Sequence, residues 1–168
     1  MKKIKTGDII FFKTKFCWYK PSTYLSVAIQ KVANIEYNHV GVIVLIWDRP
    51  FVLEAVGKGI IAIPYEKRIL NKMIKIVRPY RVINEKEYAT EAISYLSTKY
   101  DVIGLLVHQL VYAITGKWIG AGKEREKKRL YCYEYAALLN AKDYPNWYKV
   151  VPKDFLKSDW HYTILTQK

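Results

Sequence analysis

The sequence predicts one α+β domain in which an antiparallel sheet is flanked by helices. The first observation is a β-branched run over 39–47 that is followed, after Asp48-Arg49-Pro50, by a second run over 51–56, as in a β-hairpin. The second is an apolar helical pattern that begins near Cys132. The 168 residues are 51% hydrophobic, which suffices for one packed core and excludes a disordered chain. Without an internal repeat or a linker, the domain is expected to span 1–168.

Short apolar runs bounded by glycine, proline or aspartate predict the strands. The strands are expected over about 8–13, 39–47, 51–56, 60–64 and 72–80, with a last one over 161–166. Turn residues such as Gly57-Lys58-Gly59 separate four of these runs closely along the chain. The four strands between residues 39 and 80 are therefore expected to form a meander.

Apolar residues at helical spacing predict the helices. Pro21 suits the opening of the first helix, and Asn84 is a residue type that caps a helix N-terminus. The helices are expected over about 22–34, 85–99, 102–114 and 132–140, with one further helical turn over 152–156. The Gly-rich, highly charged segment 116–129 is expected to be a loop and the stretch most prone to disorder.

The charge balance of the chain is strongly positive. It carries 28 Lys and Arg against 15 Asp and Glu, a formal net charge of +13. Such a surface attracts polyanions, so an anionic membrane, an anionic wall polymer and a nucleic acid are all partners to consider. A lysine-rich genome composition explains the same balance equally well.

The sequence shows no targeting or membrane-spanning segment. The basic start is followed by an apolar core of only IIFF, shorter than the roughly 7–15 residues of a signal peptide. No apolar run reaches the about 18 residues of a spanning helix. A cytoplasmic protein is therefore predicted, with release by lysis left open. The two cysteines, Cys17 and Cys132, form no disulfide framework, and free thiols suit a reducing compartment.

Three residues carry the predicted chemistry: His39 opens a strand, Glu54 lies in the apolar run FVLEAV, and Cys132 heads a helix. A helix N-terminus stabilises a thiolate, although a free cysteine is often only a small buried hydrophobe. We expect Cys132 to be a nucleophile, His39 its base and Glu54 the acid that orients the imidazole. The backbone N–H of Cys132 is expected to help bind the oxyanion.

The predicted hairpin leaves one geometric difficulty. A turn at 48–50 places Glu54 opposite about residues 44–46, several residues from His39. A bend, a bulge or a third strand is therefore expected to bring the two side chains together.

Two other pairings of thiol and imidazole remain open. His161 at the start of the last strand can pair with Cys132, and Cys17 can act as the nucleophile with His39. His108 lies in a wholly apolar helical run and is expected to be a core or interfacial residue. The Cys and His residues lack close ligand spacing such as CxxC, and the motifs GKGI and GAGK lack a strand-to-helix context. No metal site, phosphate-binding loop or cofactor is expected.

Five short segments in a fixed order carry a family resemblance: GDIIF (7–11), NHVGV (38–42), LEA (53–55), Tyr100-Asp101 and YCYE (131–134). Through them the chain resembles the YiiX-like family, the permuted branch of the NlpC-type papain-fold cysteine peptidases and amidases. Papain-type enzymes usually place the cysteine first, whereas here the order is His, Glu, Cys. The resemblance implies a circularly permuted papain-like fold with Cys132, His39 and Glu54 in the roles given above.

The function expected from these residues is a cysteine hydrolase that forms a thioester acyl-enzyme. Its substrate is expected to be an acyl amide, a peptide or a lipid ester, and an acyltransferase is included. Tyr131, Tyr133 and Tyr100 are candidates to line the substrate site. The alternatives are a non-catalytic lipid- or nucleic-acid-binding module on the same fold and a peptidoglycan endopeptidase.

Overall fold

The computed structural model describes residues 3–13, 35–70, 72–102, 105, 111, 115–117, 128–150, 152–157 and 159–167. Several features named above lie outside these residues: the helix over 22–34, Cys17, His108 and most of the segments 102–114 and 116–129. Within the described ranges, no helix combines the length and the apolar character needed to cross a membrane.

Six strands form one antiparallel sheet, in the order β4-β3-β2-β1-β5-β6. The strands are β1 (Ile9–Lys13), β2 (His39–Ile46), β3 (Arg49–Val56), β4 (Gly59–Pro64), β5 (Met73–Pro79) and β6 (His161–Gln167). The predicted antiparallel sheet is confirmed, and each predicted strand is present with small differences at its ends.

Helices lie on both faces of this sheet. The described helices are α1 (Tyr65–Ile69), α2 (Glu85–Ser94), α3 (Cys132–Leu139) and α4 (Pro152–Lys157), with a 3₁₀ turn over Trp147–Lys149. Asn84 caps α2 as predicted, because its Oδ1 accepts the N–H of Glu87 at 3.3 Å. The helix ends earlier than the predicted residue 99, since the chain turns after Ser94 and reaches a left-handed φ of 69° at Ser97.

The predicted four-stranded meander is wrong at its fourth strand. β2, β3 and β4 are neighbours, but β5 pairs with β1 on the other side of the sheet. The sequence analysis missed α1, which follows β4 directly and packs on β3 and β4 with Tyr65 buried. The chain therefore leaves the edge of the sheet along one of its faces instead of turning into a neighbouring strand.

The β2–β3 hairpin has a tighter turn than predicted. Trp47 and Asp48 have φ values of 48° and 60°, which is the backbone of a two-residue type I′ turn, and pairing begins at Ile46 opposite Arg49. Pro50 belongs to the strand and not to the turn. It faces Leu45, whose N–H donates to Thr6, and β4 begins to pair with β3 only after Pro50, so the missing N–H removes no ladder bond.

The alternation of side chains divides the core between the two faces of the sheet. One face, which includes Phe11 and Leu53, packs against α3, a helix buried along its whole length. The other face includes Phe12 and Ile43 and is covered by Tyr65 of α1. Because each large apolar side chain contributes roughly 1.5–3 kcal/mol on burial, these two layers hold the strands in a fixed register beneath the candidate site.

Candidate active site

Cys132 is the first residue of α3 and is 4% exposed. The helix begins here because Tyr131 is extended, with φ −92° and ψ 172°, and because Glu134 accepts the Tyr131 N–H at 3.1 Å, as in a capping box. The first N–H groups of a helix have no partner within it, so they point positive dipoles towards the thiol. Cys132 thus lies at the positive end of the α3 dipole.

His39 and Glu54 are diagonal neighbours on the hairpin. The observed register places Glu54 opposite Gly41, and not opposite residues 44–46 as predicted, because the turn is formed by Trp47 and Asp48 and not by residues 48–50. His39 and Gly41 project from the same face of β2, and glycine leaves the space above it free for the Glu54 side chain. His39 Nε2 lies 2.7 Å from Glu54 Oε2. No bend, bulge or third strand is needed to join them.

The surroundings of Glu54 favour its charged form. Its side chain is 2% exposed, and burial by itself raises the pKa of a carboxyl group. That effect is outweighed by the hydrogen bond and charge of His39 and by those of Arg68, which lower the pKa of Glu54 to about 2. Glu54 is therefore a carboxylate throughout the neutral range.

The surroundings of His39 also favour its charged form. Burial opposes a positive imidazole, but the charge of Cys132, the side-chain hydrogen bond to Cys132 and the bond to Glu54 together raise the pKa of His39 to about 9. Because Nε2 is bound to Glu54, the nitrogen left for Cys132 is Nδ1. The structure thus joins the three residues that the sequence analysis named as nucleophile, base and acid.

Arg68 completes this row of charged groups, and sequence reasoning missed it. It lies on α1, and its Nε donates to Glu54 Oε1 at 2.7 Å. Its guanidinium also lies over the ring of Phe12, 4.0 Å from the ring centroid. No motif or spacing marks Arg68, since α1 itself is a single short helical segment that the sequence pattern did not reveal.

The three candidate tyrosines occupy different positions. Tyr100 shares a side-chain hydrogen bond with Cys132, and burial together with the negative charge of Cys132 raises the pKa of Tyr100, so the phenol stays protonated and able to donate. Tyr131 and Tyr133 are buried, and their hydroxyl groups donate to the carbonyl oxygens of Val150 at 3.1 Å and Tyr37 at 2.6 Å. Their role in binding substrate stays a prediction.

His161 takes a different place from His39. Its Nε2 lies 3.1 Å from the Phe155 carbonyl oxygen, and its ring packs against Trp160 with the centroids 4.7 Å apart. In the described part of the chain, the imidazole that is hydrogen-bonded to Cys132 is that of His39. Of the two competing pairings, the one with Cys17 lies outside the described residues.

Comparison with known proteins bears on the fold. No family model and no curated protein matches the chain. A solved structure does: the metalloprotein yiiX from Escherichia coli O157:H7, DUF1105, with 20% sequence identity over 97% of each chain and a TM-score of 0.60. The chain has the YiiX fold. At the level of fold this likeness confirms the predicted resemblance to YiiX-like proteins, and it covers nearly all of YiiX as well as nearly all of this chain.

The His39–Glu54 pair makes the stability of the protein depend on pH. The folded pKa of Glu54 is about 2 against an ordinary 4.5, so its contribution is complete above pH 4.5 and disappears as the pH falls through 2. The folded pKa of His39 is about 9 against 6.5, so its contribution is complete below pH 6.5 and is lost as the pH rises through 9. We expect both contributions in full between pH 4.5 and 6.5.

Urea unfolding at a series of pH values measures this dependence. In His39→Gln the difference from the native chain should shrink steadily between about pH 6.5 and 9. A constant difference across that range would contradict the raised pKa of His39.

Proposed function

We propose that this protein is a cysteine hydrolase of amide or ester bonds, with Cys132 as nucleophile, His39 as base and Glu54 as the orienting acid. One observation above all supports the proposal: Cys132 at a helix start is hydrogen-bonded to His39, whose second nitrogen lies 2.7 Å from the buried Glu54 carboxylate. A nucleophile, a base and a group that orients the base form the arrangement used for covalent catalysis.

The chemistry follows from this arrangement. Proton transfer from the Cys132 thiol to His39 gives a thiolate, which attacks the substrate carbonyl carbon while the carbonyl π electrons move to the oxygen. The N–H of Cys132 helps stabilise that oxyanion. The intermediate collapses to a thioester as the leaving amine or alcohol takes the proton from His39. Water then gives a proton to His39 as its hydroxide attacks the thioester carbonyl carbon. The C–S bond breaks, a carboxylic acid is released, and the Cys132 sulfur takes the proton back from His39.

The finer assignments belong to this proposal as well. A circularly permuted papain-like arrangement is supported by the order His39, Glu54, Cys132 along the chain together with the placement of all three around one hydrogen-bonded row. The substrate is an acyl amide, a peptide or a lipid ester, and an alcohol or amine acceptor in place of water makes the same site an acyltransferase.

A metal is not part of the proposed mechanism. YiiX is described as a metalloprotein. In the described ranges, no three Cys, His, Asp or Glu side chains converge on a common point. Both carboxylate oxygens of Glu54 are already bound at 2.7 Å, one to His39 and one to the Arg68 guanidinium, whose charge repels a divalent cation. These residues do not fit a metal ion.

The pH dependence of iodoacetamide alkylation at Cys132 tests the proposal without a known substrate. We expect Cys132 to react well below the ordinary thiol pKa of about 8.5, and roughly tenfold more slowly at about pH 6 in His39→Ala, because the imidazolium no longer stabilises the thiolate. Mass spectrometry reads Cys132 and Cys17 separately, so Cys17 serves as the internal control. If Cys132 is alkylated only near pH 8.5, and at the same rate in His39→Ala, the proposed enzyme activity is refuted.

A second candidate function is a non-catalytic module that binds a lipid surface or a nucleic acid. The observation in its favour is the net charge of +13. In that case Cys132→Ala keeps full binding, and affinity for nucleic acid falls steeply with salt. A peptidoglycan endopeptidase is one form of the proposed enzyme, and zymography on cell walls distinguishes it from the other forms.

A further inference from the structure

Arg68 is held on two sides in a defined orientation. Its Nε donates to Glu54 Oε1 at 2.7 Å, and its guanidinium plane lies over the Phe12 ring at 4.0 Å. The Arg68 side chain is 18% exposed, so most of it is removed from water. A planar guanidinium that is both stacked and hydrogen-bonded fixes the carboxylate it contacts more closely than a flexible ammonium can.

Phe12 links Arg68 to the imidazole. The Phe12 and His39 rings have centroids 5.8 Å apart and an angle of 34° between their planes, and the two residues are directly opposite each other in the β1–β2 pair. One aromatic side chain is therefore in contact with both groups that flank Glu54. The Glu54 carboxylate therefore lies between two groups, His39 and Arg68, that both contact Phe12. This arrangement restricts Glu54 Oε2 to the direction of His39.

The charges in the row alternate in sign. In the described residues, the charged groups acting on Glu54 are His39 from β2 and Arg68 from α1, and those acting on His39 are Cys132 from α3 and Glu54 from β3. A thiolate, an imidazolium, a carboxylate and a guanidinium sum to zero. Without Arg68 the buried row carries a net negative charge once the thiolate has formed, so loss of the Cys132 proton beside a charged His39 becomes more costly.

From this geometry we propose that Arg68 is a positioning residue of the Cys132 site, which holds the Glu54 carboxylate towards His39 and balances the negative charge of that carboxylate beside the thiolate–imidazolium pair. The inference rests on the proposed function. Arg68 touches neither the thiol nor the imidazole through its described hydrogen bonds, so its effect on Cys132 passes through Glu54.

A purely structural ion pair elsewhere in the chain supplies a matched control. Arg78 Nε donates to Asp8 Oδ1 at 2.7 Å, and Nη2 donates to Oδ2 at 2.9 Å. The exposures of 19% and 1% resemble those of Arg68 and Glu54. This pair joins the start of β1 to the end of β5, whereas His39 lies opposite the other end of β1. We therefore expect the loss of Arg78 to lower stability and to leave the site unchanged.

The experiment measures the midpoint pH of iodoacetamide alkylation at Cys132, together with the melting temperature. The full chain is compared with Arg68→Met, Arg68→Lys and Arg78→Met. We expect Arg68→Met to raise the midpoint by about 1 pH unit, and Arg68→Lys to raise it less, because lysine keeps the charge but not the planar contact. Arg78→Met should lower the melting temperature and leave the midpoint where it is.

An unchanged midpoint in Arg68→Met overturns the inference, and so does an equal rise in Arg78→Met, which would reflect general loosening of the fold. If Arg68→Met does not fold, Arg68→Lys decides in the same way: a raised midpoint supports the role, and an unchanged one refutes it.

The double variant Glu54→Gln/Arg68→Met tests the route. If Arg68 acts through Glu54, the alkylation midpoint of the double variant equals that of Glu54→Gln alone. If the shifts of the two single variants simply add, Arg68 does not act through Glu54. The failure of the proposed function looks different. In that case the alkylation midpoint of native Cys132 lies near pH 8.5 and does not change in His39→Ala. Both the proposed function and the positioning role of Arg68 are then refuted. A low native midpoint that is lost in His39→Ala but kept in Arg68→Met overturns the inference alone.

Discussion

Glutamine in place of Glu54 is expected to slow alkylation of Cys132 at about pH 6 roughly tenfold and to lower the free energy of unfolding by on the order of 3 kcal/mol. The amide has nearly the shape of the carboxylate but no charge. The substitution therefore leaves the Arg68 guanidinium without its counter-ion in a side chain only 18% exposed. It also removes one of the interactions that raise the pKa of His39 to about 9.

Alkylation kinetics and urea unfolding on the same preparation separate the two effects. Glu66→Gln is the matched control, because Glu66 is an exposed acid on α1 and its loss changes the net charge equally. We expect it to stay within about 0.5 kcal/mol of the native chain. A destabilised Glu54→Gln protein with native alkylation kinetics would mean that Glu54 serves only to neutralise Arg68.

A side chain at Gly41 is expected to disrupt both the hairpin and the site. A Cβ at this position would lie 2.8 Å from Val52 Cγ1, 3.0 Å from the Leu53 carbonyl oxygen and 3.3 Å from Glu54 Cβ. Such contacts are tighter than packing allows, so Gly41→Ala should cost about 1–3 kcal/mol and Gly41→Val more. The displaced Glu54 can no longer approach His39, and alkylation of Cys132 at about pH 6 should slow as it does in Glu54→Gln.

Gly57→Ala is the control for this substitution, since in the described part of the chain no atom beyond its immediate neighbours lies within 4 Å of a Cβ at Gly57. Thermal melting and alkylation are compared for both variants. If Gly41→Ala melts like Gly57→Ala and keeps native alkylation kinetics, the space above Gly41 is not what allows Glu54 to reach His39.

The strands and the candidate trio followed from local sequence features. Runs such as HVGVIVLI are apolar on both faces of a strand, and a short continuous apolar run bounded by turn residues is visible without any tertiary information. Cys132, His39 and Glu54 stood out because each is a polar or reactive residue at an otherwise apolar element or at its start. Their connection is a tertiary fact, and only the coordinates join them in one row.

The register of β2 and β3 and the passage of the chain from β4 to β5 did not follow from local sequence features. The sequence predicts Pro50 in a turn, since proline is a typical turn residue, but here it lies in the strand just before β4 begins to pair. That single misassignment moved Glu54 away from His39. The short α1 and its Arg68 lie beyond the reach of periodicity, since one helical turn with mixed charge resembles a loop.

The order of the elements along the chain has a consequence for folding during synthesis. His39 and Glu54 are synthesised early, on a hairpin that can close by local pairing, whereas Cys132 emerges much later on α3. β6, the last of the described strands, joins the edge of the sheet later still. A nascent chain thus carries the His39–Glu54 pair before Cys132 is available, so the hydrogen-bonded row can be completed only after α3 has been synthesised.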